Sequence, residues 1–310
     1  MNSKRQPADS RVLGSLSARS LSIGFLVVVS ACYTLLSIGS RLLAEGFQPM
    51  TQVYLRIAIA TVALSVLFRK KLRLANIFHA PKRDWIILFI MGTVGYSVAV
   101  YFITLGAINA KLVNVSVIFA SVPFFSYFYA FLFLKKPFDP KLAALLILSL
   151  IGISLVATKS FAPYLAPFGR GEWFTLLATA TMATFYVGRK MLSKHLNTSE
   201  ITVAVMTIAA LSGWILALLR HESFSMSAFS NPHVLLGLSI GGLMNAIVNP
   251  IEIYAFDHLD AVLGTQILLL ENVFSPIAGF LFYHEIMSFP ELAGGLIIVG
   301  SVYFANKLPQ

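Results

Sequence analysis

From Leu21 to Asn306 the chain is a succession of apolar runs, each about as long as a bilayer is thick. That repetition constrains the fold more than any single motif. An α-helix rises about 1.5 Å per residue, so about 20 apolar residues cross a hydrocarbon core of about 30 Å. Ten such runs are predicted: 21–40, 49–68, 85–106, 112–134, 140–158, 171–189, 200–219, 234–256, 261–283 and 288–306. Turn and cap residues separate them: Glu45-Gly46, Pro81, Pro137 with Pro140, Pro163 to Gly171, Asn197-Thr198 and Asn231-Pro232. The expected fold is an all-α polytopic membrane protein with ten transmembrane helices. Composition agrees, because 57% of residues are hydrophobic and only 12% charged, too few to coat a water-facing surface.

The net charge of +10 could suggest nucleic acid as a partner, but its distribution gives it a topological meaning. Of 23 Lys and Arg, five (Arg41, Lys111, Lys159, Arg170 and Arg220) fall on one side of the predicted bundle and Arg56 lies within a run. The other 17 fall on the opposite side. By the positive-inside rule that side is cytoplasmic, and both termini with it. Residues 1–20 (Lys4, Arg5, Arg11, Arg19) are expected to form a disordered basic cytoplasmic tail, and the inner membrane is the expected location. Val29-Ser30-Ala31-Cys32 matches a lipoprotein signal, but apolar sequence runs on to Ile38 where a polar tether belongs. The lone cysteine is therefore read as a small buried hydrophobe.

The second half reads as a worn copy of the first. Lys136 follows Pro123 by thirteen positions, as Glu285 follows Asn272. Gly152 follows Lys136 by sixteen and Gly300 follows Glu285 by fifteen. Halves 21–158 and 170–306 each hold five runs, and an odd number sends the second copy into the membrane in the opposite sense. Two inverted five-helix repeats are a transporter architecture, in which the halves rock about a midplane site.

Several motifs resemble one family. Tyr54-Leu55-Arg56 in the second run, Leu270-Glu271-Asn272-Val273 in the ninth, and Glu285 fourteen residues after Glu271 are similar to the EamA branch of the drug/metabolite transporter superfamily. Val122-Pro123-Phe124 and the Gly152 region match the same module in the first half. The resemblance covers residues 20–306 and implies a metabolite carrier, with export as the common direction. Two positions depart from the pattern. Asn272 replaces the usual proline, with Pro276 four residues on, and Lys136 stands where the first copy usually carries Glu.

Polar side chains at helical spacing mark candidate lining. Ser30, Thr34, Ser37 and Arg41 recur in the first run, and Thr93, Ser97, Tyr101 and Thr104 in the third. Thr175, Thr179 and Tyr186 recur in the sixth, with Met182 between them. The strongest stripe is Asn245, Asn249 and Glu252, because two amides and an acid on one apolar helix are costly without partners. Single Ser and Thr residues more often bond helix carbonyls. Glu271, in the middle of the ninth run, is the first functional candidate: it could bind a substrate amine or carry a coupled proton. The alternative is a fixed pair with Arg56 or a hydrogen bond to Asn272. Arg56 could bind a substrate carboxylate or anchor the fold. Gly237, Gly241 and Gly242 predict close helix approach.

The six histidines do not cluster at metal spacing, and no phosphate-binding loop or hydrolase motif occurs. The expectation is thus a secondary transporter rather than an enzyme, with no cofactor and no nucleic acid. Its partners are the bilayer, protons and a small polar or amphipathic metabolite, with an amino acid or relative moving outward as first choice. The alternatives are a carrier of a nucleotide-like or cofactor-like solute stacking on Tyr96, Tyr101, Tyr186 and Tyr254, and a scaffold without transport. A transporter needs a polar cavity between the halves; a scaffold would pack it shut.

Overall fold

The computed structural model describes residues 8–110, 112–160, 169–274, 277 and 288–308, the side chains of 8–17, Thr34, Ser37, Ile38, Ser40, Arg41, Ala107, Ile108, 112–114 and Ser116 excepted. Among the described residues there is no strand. The helices are α1 (Ala8–Leu43), α2 (Pro49–Leu67), α3 (Leu74–Phe78) and α4 (Lys82–Phe89). A π-helical segment, Ile90–Val98, carries α4 directly into α5 (Ala99–Asn109). Then come α6 (Leu112–Phe119), α7 (Val122–Leu134), α8 (Pro140–Thr158), α9 (Arg170–Met191), α10 (Thr198–Leu219), α11 (Pro232–His258), α12 (Ala261–Leu268) and α13 (Phe289–Lys307).

Among the described residues seven helical stretches are long and apolar enough to cross a membrane: Pro49–Leu67, Lys82–Gly106, Val117–Leu134, Pro140–Thr158, Thr198–Leu219, Pro232–His258 and Phe289–Lys307. Two shorter apolar helices are Ala18–Tyr33 and Ala261–Phe274. The sequence punctuation works through side-chain caps. Asp139 accepts from the Lys141 and Leu142 amides, and Asn231 and Asp260 do the same for α11 and α12. Asn197 with Glu200 and Ser288 with Glu291 form capping boxes. Pro140, Pro232 and Pro290 occupy first turns, where no intrahelical amide bond is lost.

Two expectations change. The basic tail is not disordered throughout, because α1 begins at Ala8, directly after Pro7. Ala, Leu and Arg between 8 and 20 favour a helix, and no proline interrupts them before Leu21. The fourth run is not one helix: α6 ends at Phe119 and α7 starts at Val122, since Pro123 lacks the amide a continuous helix would use. The ninth run turns likewise at Leu269-Leu270 before resuming at Glu271.

Packing joins the halves by exchange. α1 packs on α11, and its counterpart α9 packs on the π segment and α5; α2 packs on α10, and α8 on α13. Individual contacts repeat with the halves exchanged. A Cβ on Gly39 would meet Ile240, and one on Gly188 would meet Met91. Gly92 lies against Ile208, and Gly242 against Ile59. α2 and α10 run antiparallel, with a glutamate at each end of the pair. Glu222 accepts from the Met50 and Thr51 amides, and Glu200 accepts from the Arg73 amide and Asn76. α8 and α13 are antiparallel as well, from Ser149 on Ser301 to Lys159 on Glu291. At their closest, a Cβ on Gly152 would lie 2.8 Å from the Gly294 carbonyl and one on Gly294 2.4 Å from that of Gly152.

Candidate functional site

The exchange packing leaves space where α1, α2, the π segment, α5, α9, α11 and the start of the 271–274 helix converge. A cavity of about 270 Å³ there is lined by Tyr33, Leu36, Arg56, Tyr96, Val100, Ile103, Phe119, Met182, Phe185, Tyr186, Asn245, Glu252 and Glu271. A second, of about 360 Å³, shares Tyr33, Ile103, Phe119, Tyr186 and Glu271 with it and continues past Thr265, Leu269 and Asn272. Both halves contribute, and the walls combine aliphatic and aromatic side chains with a few convergent polar groups, the usual make-up of a small-molecule site.

The polar wall comes largely from α11. Asn245, Asn249 and Glu252 are 4%, 1% and 2% exposed. Their amides bond back along the helix, Asn245 Nδ2 to the Gly241 carbonyl at 2.7 Å and Asn249 Nδ2 to that of Asn245 at 3.0 Å. This fixes Asn245 Oδ1 as the acceptor that faces the cavity, and Tyr96 donates to it at 2.7 Å. Pro250 lies inside α11 between Asn249 and Glu252, and it removes one backbone donor at the polar stripe. Glu252 Oε1 accepts from the Tyr33 hydroxyl at 2.5 Å, and Tyr186 borders the same cavity. Glu252 and Glu271 lie close enough to interact electrostatically. Asn272, beside Glu271, uses its amide on the Leu269 carbonyl at 3.2 Å.

Arg56 reaches this wall because α11 has no side chain in its way. A Cβ on Gly241 would lie 2.2 Å from Arg56 Cδ and 2.7 Å from Cγ. The predicted close approach therefore serves two ends. Gly237 meets the Gly39 backbone, whereas Gly241 accommodates the stem of a cation.

Toward the basic ends of the helices the cavity is closed. The Phe256 ring packs on Tyr186 with centroids 4.6 Å apart. One turn further, Arg189 Nη2 pairs with Asp257 at 3.0 Å and Arg189 Nε donates to the Ile253 carbonyl. Lys190 Nζ donates to the Asp257 carbonyl at 2.8 Å, and Lys136 forms an ion pair with Asp260. The lysine that departs from the family pattern thus has a carboxylate opposite it. Lys136 is partly buried, which pushes its ammonium below the usual lysine range.

Of the residues singled out in the sequence, Glu271, Glu252, Asn245, Arg56 and Tyr186 line the cavity together. Asn249 sits behind Asn245. The Thr34 side chain lies outside the described residues. Ser97 and Tyr101 do not face the cavity. Ser97 Oγ donates to the Ala209 carbonyl at 2.7 Å, and Tyr101 accepts from Arg220 at 3.3 Å with the guanidinium 5.4 Å from its ring. The reason is the π segment: its wider turn breaks the α-helical spacing that put Thr93, Ser97 and Tyr101 on one face, and it presents Tyr96 instead. Ser30 bonds the Leu26 and Ile267 carbonyls, the bland role expected of an isolated serine. Tyr33 was not among the candidates, since it carried no polar stripe of its own.

The EamA-like transporter family's profile matches residues 20–158 and again residues 169–307. One solved structure, titled "Crystal structure of protein", is similar at a TM-score of 0.73 and 13% identity, over 95% of this chain and 99% of its own, a likeness of fold. Among curated proteins no relative matches. With both matched stretches built into one multi-pass helical bundle, the chain belongs to the EamA-like transporter family, a family of membrane transporters.

Proposed function

We propose that this protein is a secondary transporter that carries a small zwitterionic metabolite, an amino acid or relative, outward across the inner membrane in exchange for protons. The observation that carries the reading is the shared cavity, into which the first half supplies Arg56 and the second Glu252 and Glu271. Arg56 suits a substrate carboxylate and the glutamates suit a substrate ammonium, with Tyr33, Tyr96 and Tyr186 as amphipathic walls. Glu271, which borders both parts of the cavity, is the group assigned to proton coupling.

Alternating access follows from ten spans arranged as two inverted repeats, 21–158 and 170–306, with both termini cytoplasmic. The antiparallel α2–α10 and α8–α13 pairs and the contacts repeated with halves exchanged support that arrangement. The closed Phe256–Tyr186 layer above the Arg189–Asp257 pair supports a state shut on the cytoplasmic side. A static scaffold has no use for such a cavity. A nucleotide-like solute loses two of its four stacking tyrosines, because Tyr101 sits with Arg220 and Tyr254 packs on Phe25 and His258.

The test is flux in proteoliposomes, wild type against Glu271→Gln, with pooled amino acids, nucleosides and cofactors and with or without a pH gradient. Amino-acid flux that follows the gradient in the wild type and loses that dependence in the variant is the expected result. Gradient-independent flux, identical in the two proteins, would remove proton coupling, and no flux of any solute would remove transport.

A further inference from the structure

A second, wholly separate concavity lies on the outside of the bundle, and its chemistry points to a lipid. It is a groove of about 160 Å³ between α4 with the π segment, α7 and α9, so it too spans both halves. Its floor is Val187 and Gly188, its inner walls Ile87 and Tyr129, and its lips Ile90 and Phe133, which are 39% and 53% exposed. The groove opens sideways between those lips. α4 begins at Lys82, α7 stops at Leu134 and α9 stops at Met191, so all three walls end together.

That end is basic. Lys82 and Arg83 open α4, Lys135 and Lys136 follow α7, and Arg189 and Lys190 close α9. The last three cations are engaged by Asp260, by Asp257 and by the Asp257 carbonyl. Among the described residues Lys82, Arg83 and Lys135 form no ion pair, and all three are exposed. Asp84, the nearest acid in sequence, is turned away to the amide and hydroxyl of Ser193. Arg83 itself stands at the mouth of the groove, because its guanidinium donates to the carbonyl of Met191, a lining residue, at 3.2 Å.

An apolar slot with cations that no carboxylate neutralises at one end fits a molecule with a long apolar tail and an anionic head. We propose that this groove binds an anionic phospholipid, with an acyl chain between Ile90 and Phe133 and the phosphate against Arg83 and Lys135. Basic pockets between membrane helices on the cytoplasmic side are the usual seats of anionic headgroups. A lipid there bridges α4 and α7 of the first half to α9 of the second, next to the ion pairs that close the cavity, and stabilises the closed arrangement.

Thermal unfolding of the purified protein in neutral detergent tests this, with phosphatidylglycerol against phosphatidylcholine of matched chains. Phosphatidylglycerol should raise Tm more than phosphatidylcholine at equal concentration. The Arg83→Gln/Lys135→Gln double variant should lose that advantage, its apparent affinity for phosphatidylglycerol falling about fivefold per charge removed. Lys135→Gln alone, at an exposed loop position, provides the same reading if the double variant does not fold. Phe133→Ala should weaken both lipids alike. Equal stabilisation of the wild type by the two lipids, an advantage surviving removal of the charges, unchanged binding in Phe133→Ala, or stabilisation by inorganic phosphate alone would each overturn the site.

Discussion

The Tyr33 hydroxyl donates to Glu252 Oε1 at 2.5 Å, tying α1 of the first half to α11 of the second at the wall of the cavity. A buried carboxylate has few ways to be satisfied, and here the donor comes from the other repeat. A motion that separates α1 from α11 must therefore stretch or break this bond.

Tyr33→Phe removes the donor and leaves the ring. Removing the donor so that a buried acceptor is left unsatisfied costs about 1–3 kcal/mol, so the variant should unfold at a lower temperature. It should also transport more slowly, with altered dependence on the pH gradient. A variant that is destabilised but shows wild-type flux at every pH would confine Tyr33 to a structural role.

The second prediction uses the glycine that admits Arg56. Gly241→Ala places a Cβ 2.2 Å from Arg56 Cδ, so the arginine stem or α11 must move. Overpacking of this kind costs about 1–3 kcal/mol. The specific expectation is a rise in KM for a substrate carboxylate, read from concentration-dependent flux. Gly300→Ala is the control, since nothing lies within 4 Å of a Cβ there, and in a helix interior it should leave KM unchanged and raise stability by up to about 1 kcal/mol.

Much of this site was legible because α11 is a regular helix up to Pro250. Asn245, Asn249 and Glu252 fall on one face by spacing alone, and burying them in an apolar segment signals a common destination. Glu271 and Arg56 stood out as charges within spanning runs. The third span defeated the same reasoning. Hydrophobic pattern does not distinguish a π-helical turn from an α-helical one, so Ser97 and Tyr101 were assigned to the cavity and Tyr96 to a secondary role. Tyr33 was missed for another reason: an isolated tyrosine in an apolar run is as well explained by packing, and only the fold brings Glu252 to its hydroxyl. The paired halves were visible as spacing, but the match between Gly39 on Ile240 and Gly188 on Met91 needed coordinates.

Lys136 and Asp260 give a third prediction. Their side chains are 36% and 8% exposed, between the regimes of a solvent-exposed and a buried pair. Lys136→Glu sets two carboxylates opposite each other and should cost about 1–3 kcal/mol, more than an exposed pair and less than a fully buried one. Because the pair sits beside the closing layer, the variant should also open that side more often, read as faster labelling from that side of Met182→Cys, which lines the cavity, in a Cys32→Ala background. Adding Asp260→Lys should restore slow labelling and part of the stability, the remainder being lost with the cap that Asp260 provides to the Val262 amide. A double variant labelled as fast as the single one would show that the charges do not act on each other.

The last prediction concerns Glu252 and Glu271 as a unit. They come from different helices, border one cavity and interact electrostatically. If they act on one bound species, neutralising the first changes what the second contributes. Glu252→Gln and Glu271→Gln, alone and together, form a double-mutant cycle on kcat/KM for flux. Groups in contact or sharing a partner show coupling of about 0.5–3 kcal/mol, and independent sites add within about 0.5 kcal/mol. The expected result is a double variant little worse than the more damaging single one, because either substitution already disables the shared site. Strict additivity would separate the two carboxyls into independent roles, with Glu252 serving the α1–α11 contact through Tyr33 and Glu271 alone left to meet substrate or proton.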